Sequence, residues 1–289
     1  MLSIHNLKDF ASASTFKIPT IVSLFILYSF STSSVQAQMQ LSKSTGFPGI
    51  NKDFQLLVHV PIDSTSREPI VDDALINGVL ADVSKYFKHI GANFDRCEKN
   101  IIGNYTYATP VDSIRFLELK TLNSKPYRIN VYFLESIPFA YCGSSTFDGI
   151  QTSDDANIFI ERDCPDGYAN QLAHHLGHLF GLEDTYTTGN ELVNGSNCTT
   201  AGDKICDTPA DPFFRFVNTD KNELEAFIEA LPFLINDCEY IGNITDANNE
   251  PYDPDLTNIM SAYPCKCQFT DNQLRKIVAN WKSSLFKQF

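Results

Sequence analysis

The sequence predicts an α+β fold: a mixed β-sheet with a core helix packed on it, a second long helix, and a loop-rich C-terminal part that ends in a helix. Two observations lead to this class. An apolar run with strand character is followed by a segment with helical periodicity, and short runs of β-branched and aromatic residues come after it. A strand, a helix and then further strands are typical of a sheet that carries a helix on one face.

The predicted strands are short apolar runs bounded by polar turns. The first, FQLLVHV at 54–60, has the continuous apolar character of a buried strand. Three more are predicted at 114–119 (IRFLEL), 129–135 (INVYFLE) and 157–161 (NIFIE), because each is rich in β-branched or aromatic residues. These four runs would supply the sheet.

The predicted core helix lies between the first two of these strands. Asp72 is a candidate N-cap, and Gly91 is a candidate for the C′ position. Between them, apolar residues recur every three or four positions, which places them on one face of a helix. They are Leu75, Ile76, Val79, Leu80, Val83, Tyr86, Phe87 and Ile90.

The second long helix, QLAHHLGHLFGL at 171–182, also has an apolar face, and Gly181 is its predicted stop. Residues 187–212 are dominated by Gly, Asn, Asp, Thr and Pro and are predicted to form loops. A helical insert is expected at 219–231, as part of the core or as a cover over these loops. The last helix is predicted from about Thr270, a capping candidate, to Leu285.

Residues 1–37 are predicted to be a signal peptide. Two lysines precede a 13-residue apolar stretch, IPTIVSLFILYSF, which is too short to span a bilayer with ease. Val35 and Ala37 occupy the small-residue positions that signal peptidases prefer, so cleavage is expected after Ala37. A membrane anchor is the alternative. Residues 38–52 would then form a polar lead and 53–289 one domain, secreted or periplasmic.

Charge and cysteine content narrow the partners and the compartment. The net charge of −13 argues against binding to nucleic acid or to anionic lipid. Apart from the signal segment, no stretch is apolar enough for a membrane span, so no membrane contact is expected after cleavage. Eight cysteines in an exported chain predict disulfides, although their pairing does not follow from the sequence. Cys265 and Cys267 alone make a weak metal pair.

Two histidines on the second long helix are the strongest sign of chemistry. His174 and His178 are four residues apart, so on a helix both imidazoles project from one face and can bind one metal ion. After the stop at Gly181 the chain turns, and Asp184 is placed to return a carboxylate to the same ion. Two histidines and one carboxylate are a reasonable zinc site with a fourth position open.

This stretch resembles the extended HExxHxxGxxH motif of the metzincin zinc endopeptidases. GSNCTTAGDKICDTPADP at 195–212 resembles the GDxxxDTP segment of the pappalysin family, which includes secreted bacterial members. NIMSAYPCKCQFTDNQ at 258–273 resembles the Met-turn of that family and the start of the helix after it. The three motifs occur in the family's order, and the similarity runs from about Ile129 to the C-terminus and more faintly back to Phe54.

The resemblance assigns roles by position. It implies a metzincin-like metallopeptidase domain in which His174 and His178 bind zinc and Met260 forms the floor of the site as the Met-turn residue. Further residues fall where relatives bind a structural calcium, an ion that prefers oxygen ligands: Asp203, Asp207 and Thr208. An acidic turn without metal is the alternative there. A peptide or protein is the implied partner, and we expect a monomer.

The departures from the motif concern catalysis. His175 stands where the family has the glutamate that activates the attacking water and returns the proton to the leaving amine. Asp184 replaces the third histidine, as in some metzincins. The tyrosine that relatives place two residues after the Met-turn methionine is Ala262 here, and Tyr263, one position later, is the candidate for its role in stabilising the oxyanion.

Three functions are compatible with this pattern. The first is a catalytically impaired homologue, a pseudopeptidase that binds a peptide or protein in its cleft. The second is an active zinc metalloendopeptidase in which His175 or another group acts as the base. The third is a structural or adhesive exported module whose histidines bind no metal.

Overall fold

The computed structural model describes residues 49–110, 112–137, 142–145, 156–162, 164–217 and 231–283. These residues belong to one compact unit, Thr45–Phe289. The predicted signal peptide, most of the polar lead and most of the predicted insert at 219–231 lie outside the described residues. Within the described part of the chain, no helix combines the length and the apolar character that a membrane crossing requires.

Five helices and seven strands have both ends among the described residues, and residues 231–234 are also helical. The helices are α1 (Asp73–Tyr86), α2 (Ser113–Asn123), α3 (Gly167–Leu179), α4 (Phe214–Val217) and α5 (Asp271–Ser283). The strands are β1 (Lys52–Pro61), β2 (Ala92–Ile102), β3 (Ile129–Leu134), β4 (Gly143–Ser145), β5 (Asn157–Glu161), β6 (Ile235–Asn236) and β7 (Glu239–Tyr240). Short 3₁₀ turns occur at Lys88–Ile90 and Tyr105–Tyr107.

The main sheet has five strands in the order β2-β1-β3-β5-β4. The first four are parallel, and β4 pairs antiparallel with β5 through Gly143 opposite Ile160 and Ser145 opposite Ile158. The sheet is therefore mixed, as predicted, with an antiparallel strand at one edge. β6 and β7 form a separate small hairpin.

Both faces of the sheet are covered, which explains why every residue of β3 is buried. Side chains on one face, such as Val131 and Phe133, join the large core beneath α1, α3 and α5. On the other face Tyr132 and Leu134 pack with Leu119 of α2 in a smaller cluster. The site described below lies where α3 passes over the first of these faces.

The core helix begins and ends close to its predicted limits. The Asp72 carboxylate accepts a hydrogen bond from the Leu75 amide at 2.8 Å, which satisfies one of the free N–H groups of the first turn. The α-helix stops at Tyr86, and the 3₁₀ turn continues to Gly91, whose φ of 66° is left-handed. A Cβ at Gly91 would lie 2.4 Å from Asn51 Oδ1, so this position requires glycine.

The run at 114–119 is helical, so the predicted strand is wrong. Asp112 caps α2 by accepting from the Arg115 amide at 2.7 Å, and the helix continues to Asn123. Its single fully buried side chain is Leu119, whereas Ile114 and Leu117 are exposed. The prediction rested on the β-branched and aromatic content of this run, which does not distinguish a strand from a short helix.

Two strands of the main sheet were not predicted, nor was the small hairpin of β6 and β7. β2 is rich in charged and polar residues because it lies at an edge of the sheet and pairs with β1 alone. β4 has only three residues, GSS, and lacks the β-branched and aromatic residues of a strand pattern. The last helix does form: Thr270 Oγ1 accepts from the Gln273 amide at 3.2 Å, and Gln273 Oε1 accepts from the Thr270 amide at 2.9 Å.

Candidate metal centre

The helix that carries the histidines is anchored directly to the sheet. Gln171 of α3 accepts from the Glu161 amide at 2.7 Å and donates to the Glu161 carbonyl at 2.8 Å. The side-chain amide thus pairs with the N–H and C=O of the last residue of β5, as a neighbouring strand would. The two bonds fix the rotation of α3 about its own axis. His174 and His178 follow Gln171 by three and seven residues, so all three side chains lie on the same side of α3.

The end of α3 turns the chain back towards the histidines. The Leu182 amide donates to the Gly177 carbonyl at 2.9 Å and the Gly181 amide to the His178 carbonyl at 2.8 Å, which is a Schellman arrangement. Gly181 has a φ of +84°, as the left-handed position requires. Asn280 of α5 donates to the carbonyl of Phe180 at 2.9 Å. This reversal brings Asp184 beside the histidine pair.

Three ligand atoms from these segments converge on one point. His174 Nε2 and His178 Nε2 are 3.0 Å apart, and Asp184 Oδ1 lies 3.3 Å from each of them. Ligand atoms bound tetrahedrally to zinc at ~2.0–2.1 Å are separated by ~3.3 Å. The triangle therefore has the size of one face of a zinc coordination tetrahedron.

The hydrogen bonds of the other ring nitrogens fix the histidine tautomers. His174 Nδ1 donates to the Ile259 carbonyl at 2.8 Å and His178 Nδ1 to the Leu182 carbonyl at 2.9 Å. Each Nε2 therefore presents a lone pair to the centre of the triangle. Burial, followed by the nearby charges of His178 and Lys266, holds the pKa of His174 well below its usual value, so this imidazole is neutral near pH 7.

The Asp184 carboxylate supports the same interpretation. Its Oδ1 is buried and makes no hydrogen bond within the described part of the chain, although two histidine nitrogens lie 3.3 Å away. A buried carboxylate oxygen that faces two imidazole lone pairs requires a cation between them. The donor set and its spacing fit zinc.

The floor of the site depends on a glycine of α3. Met260 is fully buried in the main core, and a Cβ placed on Gly177 would lie 2.4 Å from its sulfur. Gly177 stands between the two histidines in sequence, so the missing side chain lets Met260 approach directly beneath them. This is the position that the resemblance gives to the Met-turn residue.

His175 is turned towards the edge strand β4. Its Nδ1 lies 3.2 Å from Ser145 Oγ, and its Nε2 lies so close to Gly143 that a Cβ there would be 2.3 Å from it. One of its nitrogens is nevertheless within 4.8 Å of the ligand nitrogens of His174 and His178. Burial is also the main cause that holds the pKa of His175 well below its usual value.

Tyr263 is directed to another carboxylate. Its ring is fully buried in a second apolar cluster, and its hydroxyl donates to Asp211 Oδ1 at 3.0 Å. Burial, aided by the Asp211 charge, raises the pKa of Tyr263. Ala262, at the position of the family's tyrosine, lines the cleft instead. The structure gives Tyr263 a structural contact, and its catalytic role stays a prediction.

The predicted calcium residues have protein partners. Asp203 accepts from the Ile205 amide and from Thr208 Oγ1, while Asp207 accepts from Thr270 Oγ1 and from the Asn272 amide. The Asp207 bonds tie the loop to the start of α5. Calcium binding at Asp203, Asp207 and Thr208 therefore stays a prediction, with hydrogen bonding as a second explanation of the acidic residues.

A cleft opens beside the histidines. Its lining includes residues that the sequence did not reveal as functional, notably Asp166, Tyr186 and Lys266. They come from three segments whose proximity no local pattern shows. A disulfide between Cys142 and Cys164 lies at the same place, and two more join Cys198 to Cys206 and Cys238 to Cys265. The prediction of disulfides is confirmed, and Cys97 and Cys267 are unpaired thiols.

The mixed sheet with its antiparallel edge strand, and the helix α3 that crosses it, define the fold of a metzincin-type metallopeptidase. Among solved structures it is similar to mature mirolysin of Tannerella forsythia in complex with a cleaved peptide. The TM-score is 0.54 at 14% identity, over 83% of this chain and 95% of that one. Mirolysin in complex with compound 9 gives a TM-score of 0.53 at 16% identity, over 84% of this chain and 95% of that one.

A sequence relative agrees with this fold. An extracellular metalloprotease of Colletotrichum graminicola is 27% identical over 165 residues, which are 53% of this chain and 55% of that protein. The chain thus spans about half the length of this curated relative. No protein family model matches the chain.

Proposed function

We propose that the chain is an exported zinc-binding domain of the metallopeptidase type that holds a peptide in its cleft and hydrolyses it poorly or not at all. The observation that carries this proposal is the pairing of a metal-sized ligand triangle with a misplaced base. His174, His178 and Asp184 have zinc spacing, whereas His175, with one ring nitrogen within 4.8 Å of the histidine pair, makes its contacts with Ser145 and Gly143 of β4 and has no carboxylate to offer.

Bound zinc would polarise a peptide carbonyl and activate a water for attack. The protein must then accept a proton and deliver it to the leaving amine. His175 is the residue at the family's position for this task. However, its Nδ1 lies within hydrogen-bond distance of Ser145 Oγ, and its Nε2 lies against the backbone of Gly143. An imidazole that took up the proton would also become a cation beside a dication, whereas a carboxylate becomes neutral.

Peptide binding is supported by the shape of the site. β4 lies at the edge of the sheet and borders the cleft through Cys142, which precedes it directly. An edge strand offers backbone groups with which an extended peptide can pair. Mirolysin, which is similar in fold, has been solved in complex with a cleaved peptide, and this supports the proposal. The extracellular relative and the three disulfides support export.

An active zinc endopeptidase is the second candidate, favoured by the metalloprotease relative. Turnover of a quenched fluorescent casein or peptide mixture separates the two. We expect the natural zinc-loaded protein to be inactive or very slow, and His175→Glu to gain ~10²- to 10⁴-fold, the usual contribution of a placed general base.

His175→Gln is the matched control, because it occupies the same place without a carboxylate and should remain slow. Substantial turnover by the natural protein that His178→Ala abolishes would show instead that the enzyme is active. A His175→Glu variant with one bound zinc and no gain would contradict the role given to position 175.

A further inference from the structure

A buried ion pair lines the cleft beside the metal centre and has no part in the proposed zinc chemistry. Asp166 directly precedes α3, and Lys266 follows the Met-turn segment. Lys266 Nζ donates to Asp166 Oδ2, and the two side chains are only 5% and 2% exposed. Both residues line this cleft, as do His174 and His175.

The pair leaves hydrogen-bonding capacity unused. Asp166 Oδ1 is buried and finds no partner among the residues that the structure describes. The Lys266 ammonium has three N–H donors, and Asp166 Oδ2 takes one. An acceptor and a donor therefore lie side by side at the wall of the cleft.

Neighbouring segments fix the backbone of both Asp166 and Lys266. The Asp166 amide lies 3.4 Å from the sulfur of Cys164, whose disulfide to Cys142 fixes this turn to the start of β4. On the other side, Asn170 of α3 donates to the Lys266 carbonyl at 3.0 Å. The pair is thus positioned before any ligand arrives, which lowers the entropic cost of binding to it.

The charge of the pair decides which ligand group fits. Together the two side chains are neutral, so a basic ligand group meets the Lys266 ammonium and an acidic one meets the Asp166 carboxylate. A primary carboxamide has both an N–H₂ donor and a carbonyl acceptor and satisfies both groups at once. Tyr186, Phe213 and Ala262 line the same cleft and suit the methylene groups of such a side chain.

We propose that Asp166 and Lys266 form a subsite that selects a glutamine side chain of the bound peptide, with the amide nitrogen on Asp166 Oδ1 and the amide oxygen on Lys266 Nζ. This assignment rests on the proposed peptide-binding function. Glutamine is favoured over asparagine because its longer stem covers more of the apolar wall.

The test is binding of fluorescein-labelled, alanine-flanked peptides to the natural zinc-loaded protein, measured by fluorescence anisotropy. The peptides differ at one scanned position, which holds Gln, Glu, Lys or Leu. We expect Gln to bind ~10-fold or more tightly than each of the others at one position, since a site built for a polar partner rejects its analogues. Equal binding of the four would overturn the subsite, while binding of none would overturn the peptide-binding function as well.

Substitution of either residue should change which peptide binds most tightly, and the two substitutions should favour peptides of opposite charge. Asp166→Asn leaves the ammonium uncompensated and should favour the Glu peptide, whereas Lys266→Met exposes the carboxylate and should favour the Lys peptide. Glu135→Gln, in the partly exposed pair with Arg162, is the control and should keep the Gln preference. A pair with only a structural role would lower the melting temperature in both variants and leave the order of the peptides unchanged, which overturns the proposal.

Discussion

At the scale of single residues, the metal centre combines two ligands from one helix with a third from beyond its end. Because Asp184 comes from another segment, it constrains the position of the turn as well as the ion. The spacing of His174 and His178, together with the turn expected after Gly181, predicted that the two histidines and Asp184 converge. The 3.3 Å contacts of the Asp184 carboxylate agree with that prediction.

We expect the purified protein to bind one zinc ion and His178→Ala to bind none. Loss of a direct ligand should weaken binding by more than the ~10- to 100-fold that is typical for loss of an outer hydrogen-bond partner. Zinc content after dialysis, measured by mass spectrometry, checks this. His89→Ala, at an exposed histidine, is the control and should retain one ion. Zinc-free natural protein at saturating zinc would exclude the metal centre.

The residues that the sequence did not reveal share a physical reason. Asp166 and Lys266 are 100 positions apart, and each is an ordinary charged residue in its own segment. Their pairing depends on how the Met-turn segment packs against the start of α3. The orientation of His175 is likewise set by contacts with β4, a strand too short and too small in its side chains to be predicted.

At the scale of elements, α3 contacts neighbouring segments on several sides. Two glycines, one in α3 and one just after it, set how closely these segments approach the helix. Gly177 admits Met260, and Gly181 allows the turn towards Asp184. The long periodic elements were predictable: α1, β1, β3, β5 and α5 lie close to their expected positions. The wrong strand at 114–119 is α2, a helix with much of its apolar surface exposed, whose amphipathic pattern is correspondingly weak.

Gly177→Ala should destabilise the protein, although alanine is intrinsically the better helix former. The new methyl group would lie 2.4 Å from the sulfur of Met260 in a packed core, and overpacking of this kind costs ~1–3 kcal/mol. We also expect weaker zinc binding, because the clash lies between the two histidine ligands. Urea denaturation and zinc titration measure the two effects.

Gly78→Ala in α1 is the matched control. A Cβ at Gly78 meets nothing within 4 Å, so helix propensity alone should act and raise the free energy of unfolding by ~0.5–1 kcal/mol. If both substitutions stabilised the protein equally, the close approach of Met260 would not be a constraint on α3.

At the scale of the whole molecule, the face of the sheet opposite the metal centre contains a buried polar network. His59 of β1 contacts Asn130 Oδ1 and Asn100 Nδ2, each at 3.1 Å, and stacks on Tyr132. These groups belong to three adjacent strands. Burial is the main cause that lowers the pKa of His59 from 6.5 to about 4. The network therefore links the pairing of the central strands to pH.

His59 should make the protein less stable in mild acid. Above pH 6.5 this histidine is neutral in both the folded and the unfolded chain, so it adds no pH dependence. Between pH 6.5 and about 4 only the unfolded chain binds the proton, and the free energy of unfolding falls. The loss from His59 between pH 7 and pH 5 is about 2 kcal/mol.

The measurement is urea denaturation of metal-free protein at the two pH values. His59→Gln keeps a hydrogen-bonding side chain without a titrating group, so its stability should change by about 2 kcal/mol less than that of the natural protein. Other buried histidines contribute equally to both proteins and cancel in this difference. Identical pH dependence in the two would show that His59 is not a source of acid sensitivity.

The disulfide between Cys142 and Cys164 joins the beginning of β4 to the turn that leads into α3. Without this bond, the three residues of β4 are attached to the sheet mainly through their pairing with β5. The bond forms readily only outside the reducing cytosol. In the reduced protein this wall of the cleft is therefore held less firmly, and it becomes rigid only where the disulfide can form.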